Sequence, residues 1–249
     1  MVMDTAPLLR KLQRLRHSVA SSGLGRTLAD IVVQKLLYRP DGDHSFDREF
    51  GTETSGSKDP SELGIVDPAL REKAILYLPS PPSVTRWMLR NAGIDHSRFS
   101  FVDLGCGKGR VLLVASELPF IRVVGVDISS ELCEVARRNA AAFHPPTRLC
   151  HDIQVANADA TQFDFPTGDL LIHLYHPFAP ELTYRIFERL GASLRDQPRR
   201  VVVAYLLYTA AVPEVEATFA RLPWLSRVRY EHSVTGQYDW LIYDSHAAS

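Results

Sequence analysis

The sequence predicts an α/β fold: a mostly parallel, doubly wound sheet with helices on both faces, preceded by a helical N-terminal extension. Three observations carry this. An apolar run, Phe99 to Leu104, ends at the alternating glycines Gly105, Gly107 and Gly109 and passes straight into an amphipathic segment, Val111 to Leu118. That is strand, tight turn, helix. A second run, Arg122 to Asp127, reads as a strand that ends in a carboxylate. From there to about Leu222, β-rich runs and helical stripes alternate, as parallel strands joined by crossover helices do.

The 249 residues suffice for one large domain, or for one domain with a small appendage. Lys and Arg total 28 against 29 Asp and Glu, a net charge of −1. This near-neutral balance points to neither bulk nucleic acid nor a membrane surface. Cys106, Cys133 and Cys150 are too few and too scattered for a disulfide framework or a zinc site, so no metal is expected. No apolar run approaches the ~18 residues that span a bilayer. The N-terminus lacks a signal-peptide apolar region. A reducing, cytoplasmic setting is the expectation.

Taken in order, the chain begins with helical spacing over residues 7–38. Leu8, Leu12, Leu15 and Val19 make one stripe; Leu24, Leu28, Ile31 or Val32, and Leu36 make a second. Arg10, Lys11, Arg14 and Arg16 lie around the first. This is either a basic lid or partner-binding arm, or two docked helices with solvated charges. Residues 39–66 lack periodicity and are rich in Gly, Ser, Asp and Thr. They are expected to form a mobile flap over the site, with Phe46 and Phe50 giving it something to bury. The expected division is residues 1–70 for helices and flap, and 71–249 for the core domain. In Tyr77-Leu78-Pro79-Ser80-Pro81-Pro82, Ser80 is expected to cap a helix whose first turn holds both prolines and whose inner face carries Val84, Trp87, Met88 and Ala92.

The glycine turn carries the chemistry. Glycines tolerate positive φ and let a ligand approach the backbone, and the turn aims free helix N–H groups upward. Dinucleotide sites favour G-x-G-x-x-G; here the spacing is G-x-G-x-G, with Arg110 where the later glycine would stand. Asp103, two residues before the first glycine, would repel a pyrophosphate and welcome an ammonium or sulfonium. Asp127 ends the second strand where a ribose diol would be received.

Together these residues resemble the first motif of the class I S-adenosylmethionine-dependent methyltransferases. The resemblance spans roughly residues 75–245. It implies a Rossmann-like sheet of seven strands with an antiparallel last strand, and S-adenosyl-L-methionine as cofactor. Cofactor contacts would be Asp103, Gly105, Gly107, Gly109, Asp127 and its neighbour Ile128. Tyr77 and Ser80 are candidates for the methionine carboxylate or adenine edge, or else a core tyrosine and a plain cap. Asp159, with Ala160, matches the position that meets the adenine amino group, or is a loop-capping Asp.

The remaining elements follow the alternation. Ser129 is expected to cap a helix with Leu132, Val135, Ala136, Asn139, Ala140 and Phe143 inward, stopped by Pro145 and Pro146. A third strand runs Ile153 to Ala158 and a fourth Leu170 to Tyr175, followed by His176-Pro177-Phe178. Amino-methylating relatives carry Asn or Asp, then Pro-Pro-Tyr/Phe there. This chain keeps one proline and the aromatic, which weakens the case for a base amine as acceptor. His176 and Tyr175 are the candidate catalytic residues. A helix from Pro180, a fifth strand Arg200 to Leu207 and a helix near Pro213 come next. A terminal antiparallel pair, Leu225 to His232 and Tyr238 to Tyr243, is joined through Thr235-Gly236-Gln237.

A narrower resemblance rests on the Phe46–Gly51, Tyr77–Pro82, Asp103–Arg110 and His176–Phe178 stretches. It is to an uncharacterised bacterial group distantly similar to Dot-type histone-lysine methyltransferases. The expected partner is a methyl-acceptor substrate of open class, taking the methyl on nitrogen or oxygen. Rival readings are a non-catalytic module of the same fold that uses its basic N-terminal helices, and an NAD-dependent oxidoreductase. The oligomeric state is open.

Overall fold

The computed structural model describes residues 44–63, 65, 77–232 and 238–248. The stripes expected over residues 7–38, the ends of the flap and the Thr235-Gly236-Gln237 link lie outside them. Five strands run parallel: β1 (Phe99–Leu104), β2 (Val123–Asp127), β3 (Ile153–Asn157), β4 (Asp169–Tyr175) and β5 (Val201–Tyr208). The antiparallel β7 (Tyr238–Asp244) inserts between β5 and β6 (Ser226–His232). The seven-stranded order is β3-β2-β1-β4-β5-β7-β6.

β1 sits centrally because both its faces are apolar, and all six of its residues are buried. Phe99 and Phe101 face one core cluster; Val102 and Leu104 face the other, the period-two alternation of a strand covered on both sides. The first cluster takes Met88 and Leu89 from α2 (Pro82–Arg90) and Leu112 and Leu113 from α3 (Arg110–Ala115). The second takes Ile186, Phe187 and Leu190 from α5 (Pro180–Asp196), and Val215 and Phe219 from α6 (Val212–Phe219). α4 (Ser130–Ala142) starts as expected: the Ser129 hydroxyl accepts from the Leu132 N–H at 3.2 Å.

Three local expectations are corrected. Ser80 does not cap α2. Pro81 holds the cap position, extended at φ −61°, ψ 124°, and no side chain caps the helix. A residue before proline is pushed out of the helical region, so Pro82 delays the helix by one residue and Ser80 is left buried outside it. α3 stops at Ala115 rather than Leu118. Glu117 and Leu118 tighten to i−3 bonds, and the Ser116 carbonyl is taken by the N–H groups of Leu149 and Cys150.

The third concerns the flap. Residues 44–55 form α1 (Ser45–Phe50) and a loop fastened to the domain. Asp47 receives the hydroxyls of Thr52 and Thr54 and the N–H groups of Thr54 and Ser55, all within 2.8 Å. Arg110 donates to the hydroxyls of Thr54 and Ser55, both at 2.7 Å. Phe46 is buried, and with Phe50 it contacts Phe143 at 6.0 and 4.9 Å between ring centroids. The loop composition concealed a segment whose polar side chains satisfy one another.

In the sheet order the chain moves one way from β1 through β2 to β3, then returns to the other side at β4. The connections after β1 and β4 therefore leave in opposite directions. A crevice opens between them at the carboxyl ends of the strands.

Candidate active site

A cavity of about 330 Å³ occupies that crevice, within the usual range for small-molecule sites. Tyr77, Ser80, Asp103, Gly105, Asp127, Ile128, Asp159, Ala160, Tyr175 and His176 all line it. Gly107 and Gly109 are buried in the turn and not on its wall.

The turn takes the shape that glycine permits. Gly105, Gly107 and Gly109 have φ of 78°, 52° and 83°. A Cβ on Gly107 would lie 2.1 Å from the Tyr77 ring, and one on Gly105 2.6 Å from Pro177 Cβ. The turn is thus pressed between the segment before α2 and the loop after β4. The Gly107 N–H donates to Asp127 Oδ2 at 2.8 Å, and the Ser129 N–H to Oδ1 at 2.9 Å. Burial raises the Asp127 pKa, while these N–H groups work against the rise. A carboxylate has about four lone-pair sites, so Asp127 retains acceptor capacity for a further donor. Tyr77 gives its hydroxyl to the Thr54 carbonyl at 2.9 Å, so its ring is what it offers a ligand. Asp159 accepts from the Thr161 N–H and hydroxyl at 2.8 and 2.7 Å, as a loop cap would, and it lines the cavity.

On the β4 side, His176 has φ 41°, the one non-glycine residue with positive φ among those described. A bulky residue held there marks a position worth functional scrutiny. Its Nδ1 lies 3.4 Å from the Tyr205 hydroxyl. Burial lowers its pKa below the ordinary histidine value, with Glu214 working the other way. Cys106 lines the cavity, but burial first, and then Asp127 and Asp103, push its thiol well above its usual value. It is a poor nucleophile.

One residue that sequence reasoning missed is His173. It lines the cavity, is fully buried, and places Nδ1 2.6 Å from Asp103 Oδ1. The signal was a histidine inside an apolar strand, but its meaning depends on register: His173 is the direct neighbour of Asp103 across β4 and β1.

Residues 101–197 match the family model described as a methyltransferase domain. S-adenosyl-L-methionine is the cofactor of that family. The matched residues include the glycine turn, Asp127, Asp159 and the end of β4. A release factor glutamine methyltransferase of Caulobacter vibrioides is 41% identical over 73 residues, covering 28% of this chain and 25% of its own. A ribosomal protein L11 methyltransferase of Alteromonas mediterranea is 34% identical over 97 residues, covering 37% of this chain and 32% of its own. The similarity thus spans a quarter to a third of these relatives. A solved ribosomal protein L11 methylase from Lactobacillus delbrueckii shares the fold at TM-score 0.50 and 17% identity, covering 71% of this chain and 82% of its own. Among the described residues no helix is long and apolar enough to cross a membrane.

Proposed function

We propose that the protein is an S-adenosyl-L-methionine-dependent methyltransferase that moves the methyl group to a nitrogen or oxygen nucleophile on a protein side chain or a small molecule. The observation that carries this is the pair of carboxylates, Asp103 and Asp127, flanking a positive-φ glycine turn on one cavity wall. Two acids suit a ligand with an ammonium and a ribose diol and oppose a pyrophosphate, which disfavours the dinucleotide reading. The proteins named among the relatives act on a release factor and on ribosomal protein L11, which supports a protein side chain as acceptor.

S-adenosyl-L-methionine held here would supply an electrophilic methyl group on sulfur. The protein's part is position and electrostatics. Asp127 offers its remaining lone pairs to the ribose hydroxyls. Asp103 faces the ammonium. Ser80 and the Tyr77 ring border the methionine or adenine end, and Asp159 the adenine amino group. His176 accepts the proton that the acceptor releases, and Tyr175 lines the approach beside it.

Calorimetry with S-adenosylmethionine, S-adenosylhomocysteine and NADH tests the reading. Micromolar binding of the two sulfur ligands and none of NADH is expected. Asp127→Ala should weaken that binding about tenfold or more, since hydrogen bonds to a charged group are worth about 1.5–3 kcal/mol, while the chain still folds. Failure of both sulfur ligands to bind, or NADH binding in their place, overturns it.

A further inference from the structure

The Asp103–His173 pair lies at the buried base of the cavity. Both residues are buried, at 3% and 0% exposure, in the centre of the sheet. Elsewhere in that neighbourhood the first-cluster face is apolar: the His173 ring lies 6.3 Å from Phe101 and 5.7 Å from Trp240 between centroids. Placing two polar side chains in such surroundings is costly unless each is well partnered. The partnering is one-sided. Nδ1 of His173 and Oδ1 of Asp103 meet at 2.6 Å. His173 Nε2 is buried without a hydrogen-bond partner among the described residues. The bond to His173 occupies Oδ1 of Asp103, and Oδ2 is the carboxylate oxygen it leaves over.

A histidine meeting a carboxylate through Nδ1 fixes which oxygen is occupied and which is left. The backbone reinforces this, because Asp103 and His173 are register partners on adjacent parallel strands. Neither can turn away without breaking the bond. Asp103 also stands two residues before the glycine turn, and both side chains reach the cavity wall. The arrangement thus presents one carboxylate oxygen to the cavity and holds it there from behind.

We propose that His173 is a positioning residue for the amino-acid end of the cofactor: its bond to Asp103 Oδ1 directs Oδ2 at the ligand's ammonium. The proposal rests on the reading of the cavity as an S-adenosylmethionine site. It assigns His173 no contact with the reacting atoms. It also accounts for a buried histidine that the transfer step itself does not use.

The test separates the two ends of the ligand. S-adenosylhomocysteine carries the ammonium; 5′-methylthioadenosine has the same nucleoside and thioether without it. Affinities of both are measured by competition for the wild type, His173→Leu and His173→Asn. An Asn amide N–H can stand where Nδ1–H stood, whereas Leu fills the space with no donor. The expected result is a loss of about tenfold or more for S-adenosylhomocysteine in His173→Leu. Affinity for 5′-methylthioadenosine should stay within about twofold, and His173→Asn should recover most of the loss. The retained 5′-methylthioadenosine affinity shows at once that the Leu variant is folded. Equal losses for both ligands, no loss in His173→Leu, or no recovery in His173→Asn overturns the role of His173 and leaves the cofactor reading standing. Failure of the wild type to bind S-adenosylhomocysteine overturns both.

Discussion

At the scale of single residues, the site is governed by one atom that is missing. Gly107 holds φ 52° with the Tyr77 ring against it, and its N–H is spent on Asp127. Gly107→Ala adds a left-handed backbone cost of about 1–2 kcal/mol and a collision with a ring whose hydroxyl is already tied to Thr54. The expected outcome is a lower melting temperature together with weakened cofactor binding, because the displaced N–H no longer holds Asp127. Gly107→Ala combined with Tyr77→Ala should recover part of the stability by removing the collision, but not the backbone cost. Thermal melts of the single and double variants read the difference. His173 teaches a related lesson: a residue can be plain in the sequence while its partner, 70 positions away, is not.

At the scale of elements, α1 and its loop stand or fall on Asp47. Burial alone would raise its pKa, but hydrogen bonds from Ser55, Thr54 and Thr52 outweigh this and bring it down to about 2 from 3.8. The folded value is depressed, so the carboxylate contributes stability that is present above pH 3.8 and lost as pH falls toward about 2. Asp47→Asn is expected to destabilise the protein by about 2–3 kcal/mol at neutral pH. The gap between wild type and variant should narrow as pH drops below about 4. Urea denaturation of both proteins across that range checks the sign, and a gap that widens on acidification would refute it. The loop carries Thr54 and Ser55 to Arg110 at the start of α3, so its loss should reach the glycine turn.

At the scale of the whole molecule, the cavity is assembled from parts that meet only in the folded state. Its walls come from the ends of β1, β2 and β4, the Tyr77–Ser80 segment and the residues after β3. A ligand that fills it binds the folded chain alone and stabilises it by mass action. S-adenosylhomocysteine at about a hundred times its Kd should stabilise by about 2.7 kcal/mol, or about 5–10 °C for a chain of this size. NADH should leave the melting temperature unchanged. Differential scanning fluorimetry with both ligands gives the answer.

The sequence by itself determined the strands, because hydrophobic period, glycine spacing and proline punctuation are local properties. β1 through β5 fall where their apolar runs lie, and Ser129 caps α4 as its position demands. The sequence also showed the two acids at strand ends, since a carboxylate that closes an apolar run is visible without any fold. Only tertiary structure decided what those groups face. The 44–55 segment has the composition of a loop, and part of its order comes from Arg110, Asn139 and Phe143, all distant in the chain. Ser80 is a cap by residue type alone, but the restriction that Pro82 places on Pro81 moves the helix start one residue on. His173 read as one more strand residue because strand register joins it to Asp103, and register is a property of the sheet rather than of either strand.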